Sequence, residues 1–204
     1  MQSLSQETRQ ATDIRITGTS RAAQEIRDFA RRASKFNETL LLTGETGVGK
    51  DHLAEYIHSL GADGRPFVPV DCGTLPRDLV ESHLFGYVRG AYTGAGEGKD
   101  GLIQAAEGGT LFLNEVANMS IELQSKLLRV AEGRSYRKVG GTQEIQIRTR
   151  IIAGTNVDLS AKVEAGRFKL DLFYRLATIT YQIPALRERP EDIEPLSYLF
   201  LKQL

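Results

Sequence analysis

Apolar residues recur every three to four positions from Ser20 onward. Ala23, Ile26, Phe29, Ala30 and Ala33 fall on one side of a helix, and Ser20 is placed to cap its first turn. The next apolar block differs in kind: "TLLLTG" (39–44) is short, almost wholly apolar and closed by glycine, which predicts a strand covered on both faces. Helical spacing returns over 50–60, with Leu53, Ile57 and Leu60 on one side. It returns again over 120–132, with Leu123, Leu127 and Val130 or Ala131. "PFVPV" (66–70), "TLFLN" (110–114), "RIIAGT" (150–155) and "TITYQI" (178–183) have strand character. Pro69 has no N–H to give a ladder, so its strand is placed on a sheet edge. Strands alternating with helices predict a parallel sheet with right-handed crossovers. The glycine-rich stretch 86–101 follows neither period, and a loop this long in a compact domain is either functional or disordered. Residues 1–13 read as a frayed tail.

Composition narrows the class. A chain of 204 residues holds one full core and the start of a second unit. Its 26 Lys and Arg balance 26 Asp and Glu, so no global field draws it to nucleic acid or lipid. An apolar content of 41% with 25% charged residues fits a folded domain. No apolar run approaches the roughly 20 residues of a membrane span, and the polar first twenty residues lack a signal-peptide core. The expected compartment is the cytoplasm. Cys72 is the single cysteine, which excludes a disulfide frame and a zinc knuckle, and it reads as a small buried thiol. His52, His58 and His83 lack metal-ligand spacing.

Chemistry enters at "GETGVGKD" (44–51). Gly44, Glu45, Thr46, Gly47, Val48, Gly49 and Lys50 follow a strand and precede a helix, the context in which backbone N–H groups and a helix N-terminus cradle phosphate. Lys50 would reach the β- and γ-phosphates. Asp51 stands where most such loops carry Ser or Thr to hold magnesium, and would steer the metal through a water. "GGTLFLNEV" (109–117) ends a strand on Asn114 and Glu115, where an ATPase ordinarily has Asp followed by Glu.

Together with these stretches, "ESHLFGYVRGAYTGA" (81–95), "QSKLLRVAEGRSYRKVGGTQEIQIRTRIIAGTNVDL" (124–159) and "IPALRERPEDI" (183–193) make the chain, from about Gly18 on, resemble the AAA+ ATPase domain of sigma-54-dependent transcription activators, the bacterial enhancer-binding proteins. Their phosphate loop reads like GESGTGKE, their acidic strand like GGTLFLDEI, and their sigma-54-contacting loop like ESELFGHEKGAFTGA. The resemblance implies an α/β P-loop NTPase fold with a five-stranded parallel sheet in the order 5-1-4-3-2. It also implies a ring, usually a hexamer, of this chain or a paralogue, with ATP and Mg2+ between neighbours. Hydrolysis would drive the loop of Gly90, Ala91, Tyr92, Thr93, Gly94 and Ala95 against sigma-54 RNA polymerase and open promoters. The residues suit that task on their own account: Gly90, Gly94, Gly96 and Gly98 lower the steric cost of changing conformation, and Tyr92 offers one large amphipathic ring.

Three positions depart from the family pattern. Asn114 replaces the magnesium-holding Asp, keeping an oxygen but losing its charge. Lys169 stands for the first of two trans-acting arginines, of which Arg175 is the second; lysine keeps the charge and loses the planar fork. Asp71 replaces an Asn that restrains the catalytic glutamate. Because strands 2 and 3 are neighbours in the family sheet, Asp71 and Asn114 together read as a carboxylate moved across about 4.8 Å, or as drift in a weakened ATPase. Glu115 would polarise the attacking water, and Thr155 and Asn156 would sense the γ-phosphate. Arg187, Glu188 and Arg189 read as solvated or ring-interface charges.

The expected organisation is a tail over 1–17, an α/β subdomain over 18–190 and the start of a helical lid over 191–204. The lid's sensor stretch and the enhancer-gripping helix-turn-helix have no counterpart in the sequence, so DNA contact is assigned to regions outside it. Two functions remain open: an ATPase that remodels sigma-54 RNA polymerase, and a nucleotide-binding, hydrolysis-impaired ring subunit or sigma-54 docking module relying on an active partner. A metabolic kinase leaves 81–95 and 124–159 unexplained.

Overall fold

A computed structural model describes residues 16–62, 64–73, 77–91, 97–133 and 135–202. The first helix, α1 (Arg21–Ala33), starts where the sequence places it: the Ser20 hydroxyl accepts the Ala23 N–H at 2.9 Å, and the five apolar residues of its stripe are all buried. The strand β1 (Leu40–Thr43) leads into α2 (Lys50–Gly61), followed by β2 (Phe67–Asp71), α3 (Arg77–Phe85), a single turn α4 (Leu102–Ala105) and β3 (Thr110–Asn114). Beyond a 3-10 turn come α5 (Ile121–Gly133), the short strands β4 (Ser135–Tyr136) and β5 (Ile145–Gln146), and β6 (Arg150–Thr155). Helices α6 (Leu159–Glu164) and α7 (Leu170–Leu176), β7 (Ile179–Gln182) and α8 (Ile193–Leu201) complete the order.

The main sheet runs β2-β3-β6-β1-β7, and all of its pairings are parallel. Numbering only its own five strands along the chain turns this into 5-1-4-3-2, as the resemblance implied. Pro69 lies on the exposed side of edge strand β2, so the missing N–H costs the ladder nothing. Alternation along the strands sorts the core into two layers. Leu40, Leu42, Phe112 and Ile152 pack with α1 and α2, whereas Leu41, Leu111, Leu113, Ile151 and Ala153 pack with α3, α5 and α7.

Several elements carry no clear period in the sequence and are set by tertiary contact. Tyr87 pairs with Lys99 and with Val139, which pins both legs of the glycine-rich stretch against the β4–β5 segment, and Lys138 pairs with Asp100 across the same junction. Of the loop expected to touch sigma-54, Gly90 and Ala91 are described; Tyr92, Thr93, Gly94 and Ala95 lie outside the described residues. At the other end of the chain, Asp192 is fully buried and accepts the Ser20 N–H at 2.8 Å and the Ser20 hydroxyl at 2.7 Å, tying α1 to the segment before α8. No helix among the described residues is long and apolar enough to cross a membrane.

Candidate functional site

Buried β1 delivers the glycine-rich turn at the carboxyl end of the sheet, and α2 leaves it with Gly49 as its N-cap. Gly47 and Gly49 have φ of 84° and 95°, and a Cβ on either would meet no atom within 4 Å, so glycine is needed there for conformation and leaves the turn open on its outer side. No side chain caps α2, which leaves its first-turn N–H groups facing the turn.

Lys50 is buried. Its Nζ donates to the carbonyls of Gly44 at 3.0 Å and Glu45 at 3.2 Å, and lies 3.6 Å from Glu115 Oε1. Glu115 has φ 54°, and among the described residues no other non-glycine has positive φ. A carboxylate held in so unfavoured a conformation, against the lysine of a phosphate-type loop, marks the centre of the site. Asn114 precedes it, with Oδ1 buried and without a hydrogen-bond partner. A Cβ at Gly154, on the neighbouring strand, would come within 2.7 Å of that oxygen, so glycine there makes room for it.

Asp71 is the in-register partner of Asn114, which puts both side chains on the α2 face of the sheet. Its Oδ1 accepts the Gly73 N–H at 2.8 Å. Between them, Cys72 is buried; burial first, then the charges of Asp71 and Glu115, push its thiol up to about 12, so it is held protonated. Thr155 ends β6 fully buried, with its hydroxyl engaged by Val157, and the Asn156 amide donates to the Thr46 hydroxyl at 2.9 Å. Asp51 is exposed in the first turn of α2.

The structure thus brings together Gly44 to Lys50, Glu115, Asn114, Thr155 and Asn156, with Asp71 one strand further out. Lys169 and Arg175 belong to a different surface. Lys169 is the N-cap of α7, its N–H bonded to Gln124 Oε1 at 2.8 Å, and Arg175 is exposed 3.9 Å from Glu132. Neither makes a described contact with the loop of its own chain.

A cavity of about 500 Å³ opens beside the loop, lined by Gly47, Val48, His52, Ile183 and Leu186 with Ile16 and α8. Sequence reasoning missed its far wall. Arg187, read as a solvated or ring-interface charge, is exposed but paired: it donates to both Glu45 carboxylate oxygens at 2.7 and 2.5 Å and holds that carboxyl below its usual range. Arg189, by contrast, is not solvated: it is buried, donates to the Val48 carbonyl at 3.2 Å and lies 3.9 Å from Asp192. Glu188 accepts the Ala185 N–H at 2.7 Å, shaping the turn that carries both arginines. The run "RERPED" was the available signal, but the loop groups that Arg187 and Arg189 meet lie more than 140 residues away.

The family model described as the sigma-54 interaction domain matches residues 16–182. The response regulator protein PilR of Pseudomonas aeruginosa is 46% identical over 193 residues, covering 94% of this chain and 43% of that protein. The crystal structure of NtrX from Brucella abortus in complex with ATP is similar with a TM-score of 0.84 and 36% identity, over 98% of this chain and 44% of that one. The P-loop NTPase domain of the sigma-54 transport activator from E. coli shares the fold, with a TM-score of 0.56 and 20% identity over 83% of this chain and 99% of that one. The chain spans less than half the length of the curated relatives it matches.

Proposed function

The chain belongs to the sigma-54 interaction domain family and has the AAA+ P-loop NTPase fold, and from that premise we propose that it binds ATP at residues 44–51 and spends its hydrolysis on sigma-54 RNA polymerase. The observation that carries this reading is Lys50, a buried cation in a glycine turn whose present partners are two loop carbonyls and Glu115. A triphosphate offers Lys50 a far stronger counter-charge than neutral carbonyls do. As Lys50 turns to phosphate it releases Glu115, whose carboxylate is then free to orient and polarise water. The N–H groups of the loop and of α2 hold the phosphates, and the 500 Å³ cavity takes the base and ribose against its apolar wall. Asn156, bonded to Thr46, reads the loop's occupant. Arg175, aided by Lys169, reaches the phosphate of a neighbour in a ring, where a planar cationic donor stabilises the charge that develops on transfer.

Magnesium fits this site. The buried, unpartnered Asn114 Oδ1 is an oxygen ligand of the right hardness, and Asp71, its in-register partner, supplies a carboxylate on the same face. Bound there, it would neutralise phosphate oxygens. Residues 90–95 are proposed to contact sigma-54 from a base held by the Tyr87–Lys99 pairing, with the cytoplasm as the proposed compartment.

Calorimetry with ATP and magnesium tests the proposal. One nucleotide per chain is expected, lost in Lys50→Ala, together with ATP-dependent retention on immobilised sigma-54; no uptake by the wild-type chain overturns it. A second reading, a ring subunit that binds ATP but depends on an active partner for hydrolysis, is favoured by Asn114 and Lys169. It predicts tight binding without turnover at any concentration.

A further inference from the structure

A second, polar cavity of about 580 Å³ opens where the strands begin, at the opposite end of the sheet from the phosphate loop. Helix α2 starts at Lys50 and ends at Gly61 in its wall, so about 17 Å of helix separates the two sites at 1.5 Å per residue. Arg150, the first residue of β6, lines this cavity and is only 9% exposed. One of its terminal nitrogens donates to the Ala33 carbonyl at 2.8 Å, whereas its Nε is buried without a partner. No carboxylate among the described residues forms an ion pair with it. Burial alone lowers its pKa, with no acid opposing the shift.

Arginine does not escape such a position by losing its proton, and an uncompensated buried charge is costly. The carboxyl end of α1, at Ala33, answers part of it with the equivalent of about half a negative charge. Nε and the remaining charge have no such answer. The rest of the lining adds to the imbalance: Arg65 and Arg148 stand on the same cavity, and Glu107 alone of the described lining residues is acidic. Glu107 Oε2 already accepts the Arg148 N–H at 2.9 Å. Two hydroxyls beside Arg150 are already engaged, that of Thr110 with His58 Nδ1 at 2.9 Å and that of Thr149 with the Ala106 carbonyl at 2.8 Å.

We infer that this cavity binds a small phosphate-bearing molecule, whose charge answers that of the Arg150 guanidinium in the cavity wall while Arg65 and Arg148 meet the same anion at the mouth. The guanidinium fork matches phosphate geometry, three arginines against one glutamate favour a dianion over chloride or a monocarboxylate, and the volume lies within the range of small-molecule sites.

The Nε–Hε resonance of Arg150, assigned by its absence from Arg150→Lys, reports a change of charge beside the guanidinium. Inorganic phosphate is titrated at constant ionic strength into protein saturated with ADP and magnesium, so that the glycine loop is already filled. A saturable shift is expected, at least ten-fold weaker in affinity in the surface variant Arg65→Ala/Arg148→Ala and retained in Lys50→Ala. A shift that sodium chloride reproduces, one that the double variant leaves unchanged, or one lost in Lys50→Ala overturns the inference. A chain that fails to take up ATP yet shows the Arg150 response loses the proposed function and keeps this site.

Discussion

Single residues decide how the site is charged. Asp71 and Asn114 face the same side of neighbouring strands in register, and the orphaned Asn114 oxygen is where a carboxylate would ordinarily meet the metal. If the pair is an exchange, the acid sits one strand spacing away and the total charge is kept. Asp71→Asn alone should then weaken the gain in ATP affinity that magnesium provides by about ten-fold, the size expected when one charge-assisted contact is lost. Asp71→Asn with Asn114→Asp should restore that gain. Calorimetry with and without magnesium measures it, and a double variant no better than the worse single one returns the two residues to drift. The two departures were legible in the sequence because both residues lie in motifs. The state of Cys72 was legible only as burial; that Asp71 and Glu115 reinforce it required the strand register. With its pKa near 12, about one thiol in ten thousand is ionised at pH 8. A disulfide reagent at that pH should therefore label Cys72 at the rate of unfolding, and rapid labelling of the native chain would contradict the assignment.

At the scale of elements, what the sequence encoded best was what repeats locally. The α1 stripe, the five main strands and the edge position of Pro69 follow from side-chain period and from proline's missing N–H. What it hid was the strap from Ala185 to Asp192, because nothing local distinguishes a solvated "RERPED" from one folded over a loop 140 residues earlier. The strap's two halves should behave differently. Glu45 and Arg187 are both more than half exposed, and such pairs contribute little to stability. Asp192 is fully buried and anchors Ser20 twice beside Arg189. Asp192→Ala leaves a buried arginine and two donors without their carboxylate, which costs about 3–5 kcal/mol. For a domain of this size each kcal/mol lowers Tm by roughly 2–4 °C. A loss of about 6 °C or more is thus expected in thermal denaturation of Asp192→Ala, against no more than about 2 °C for Glu45→Gln. Equal losses would mean that Asp192 does not carry the junction between α1 and α8.

The whole molecule poses the remaining question, because one chain does not bring together every group proposed for phosphate transfer. Lys50 and Glu115 lie at the carboxyl end of the sheet, whereas Arg175 is exposed on α7 beside Glu132 and makes no described contact with the loop of its own chain. The sequence placed both sets through motif order and, by the resemblance, assigned Arg175 to a neighbour; the distance between the sets within one chain needed the fold. The fold separates them. If Arg175 is catalytic as proposed, it acts on a neighbour from this position, and turnover per chain should rise with protein concentration as neighbours assemble. Arg175→Ala and Lys50→Ala should each be nearly inactive, the first by about 10³-fold if its arginine acts as such donors do elsewhere. Mixing them gives a sharper outcome. A ring holding both variants contains some interfaces with an intact Lys50 loop on one side and an intact Arg175 on the other. If half the positions carry each variant at random, about a quarter of interfaces are complete in both respects, so hydrolysis should return to a substantial fraction of wild type although neither component has any. Were Arg175 to serve its own loop, every active chain would need both residues and mixing would recover nothing. Steady-state phosphate release from the two variants, separately and mixed at one total concentration, decides between these arrangements without requiring knowledge of ring size.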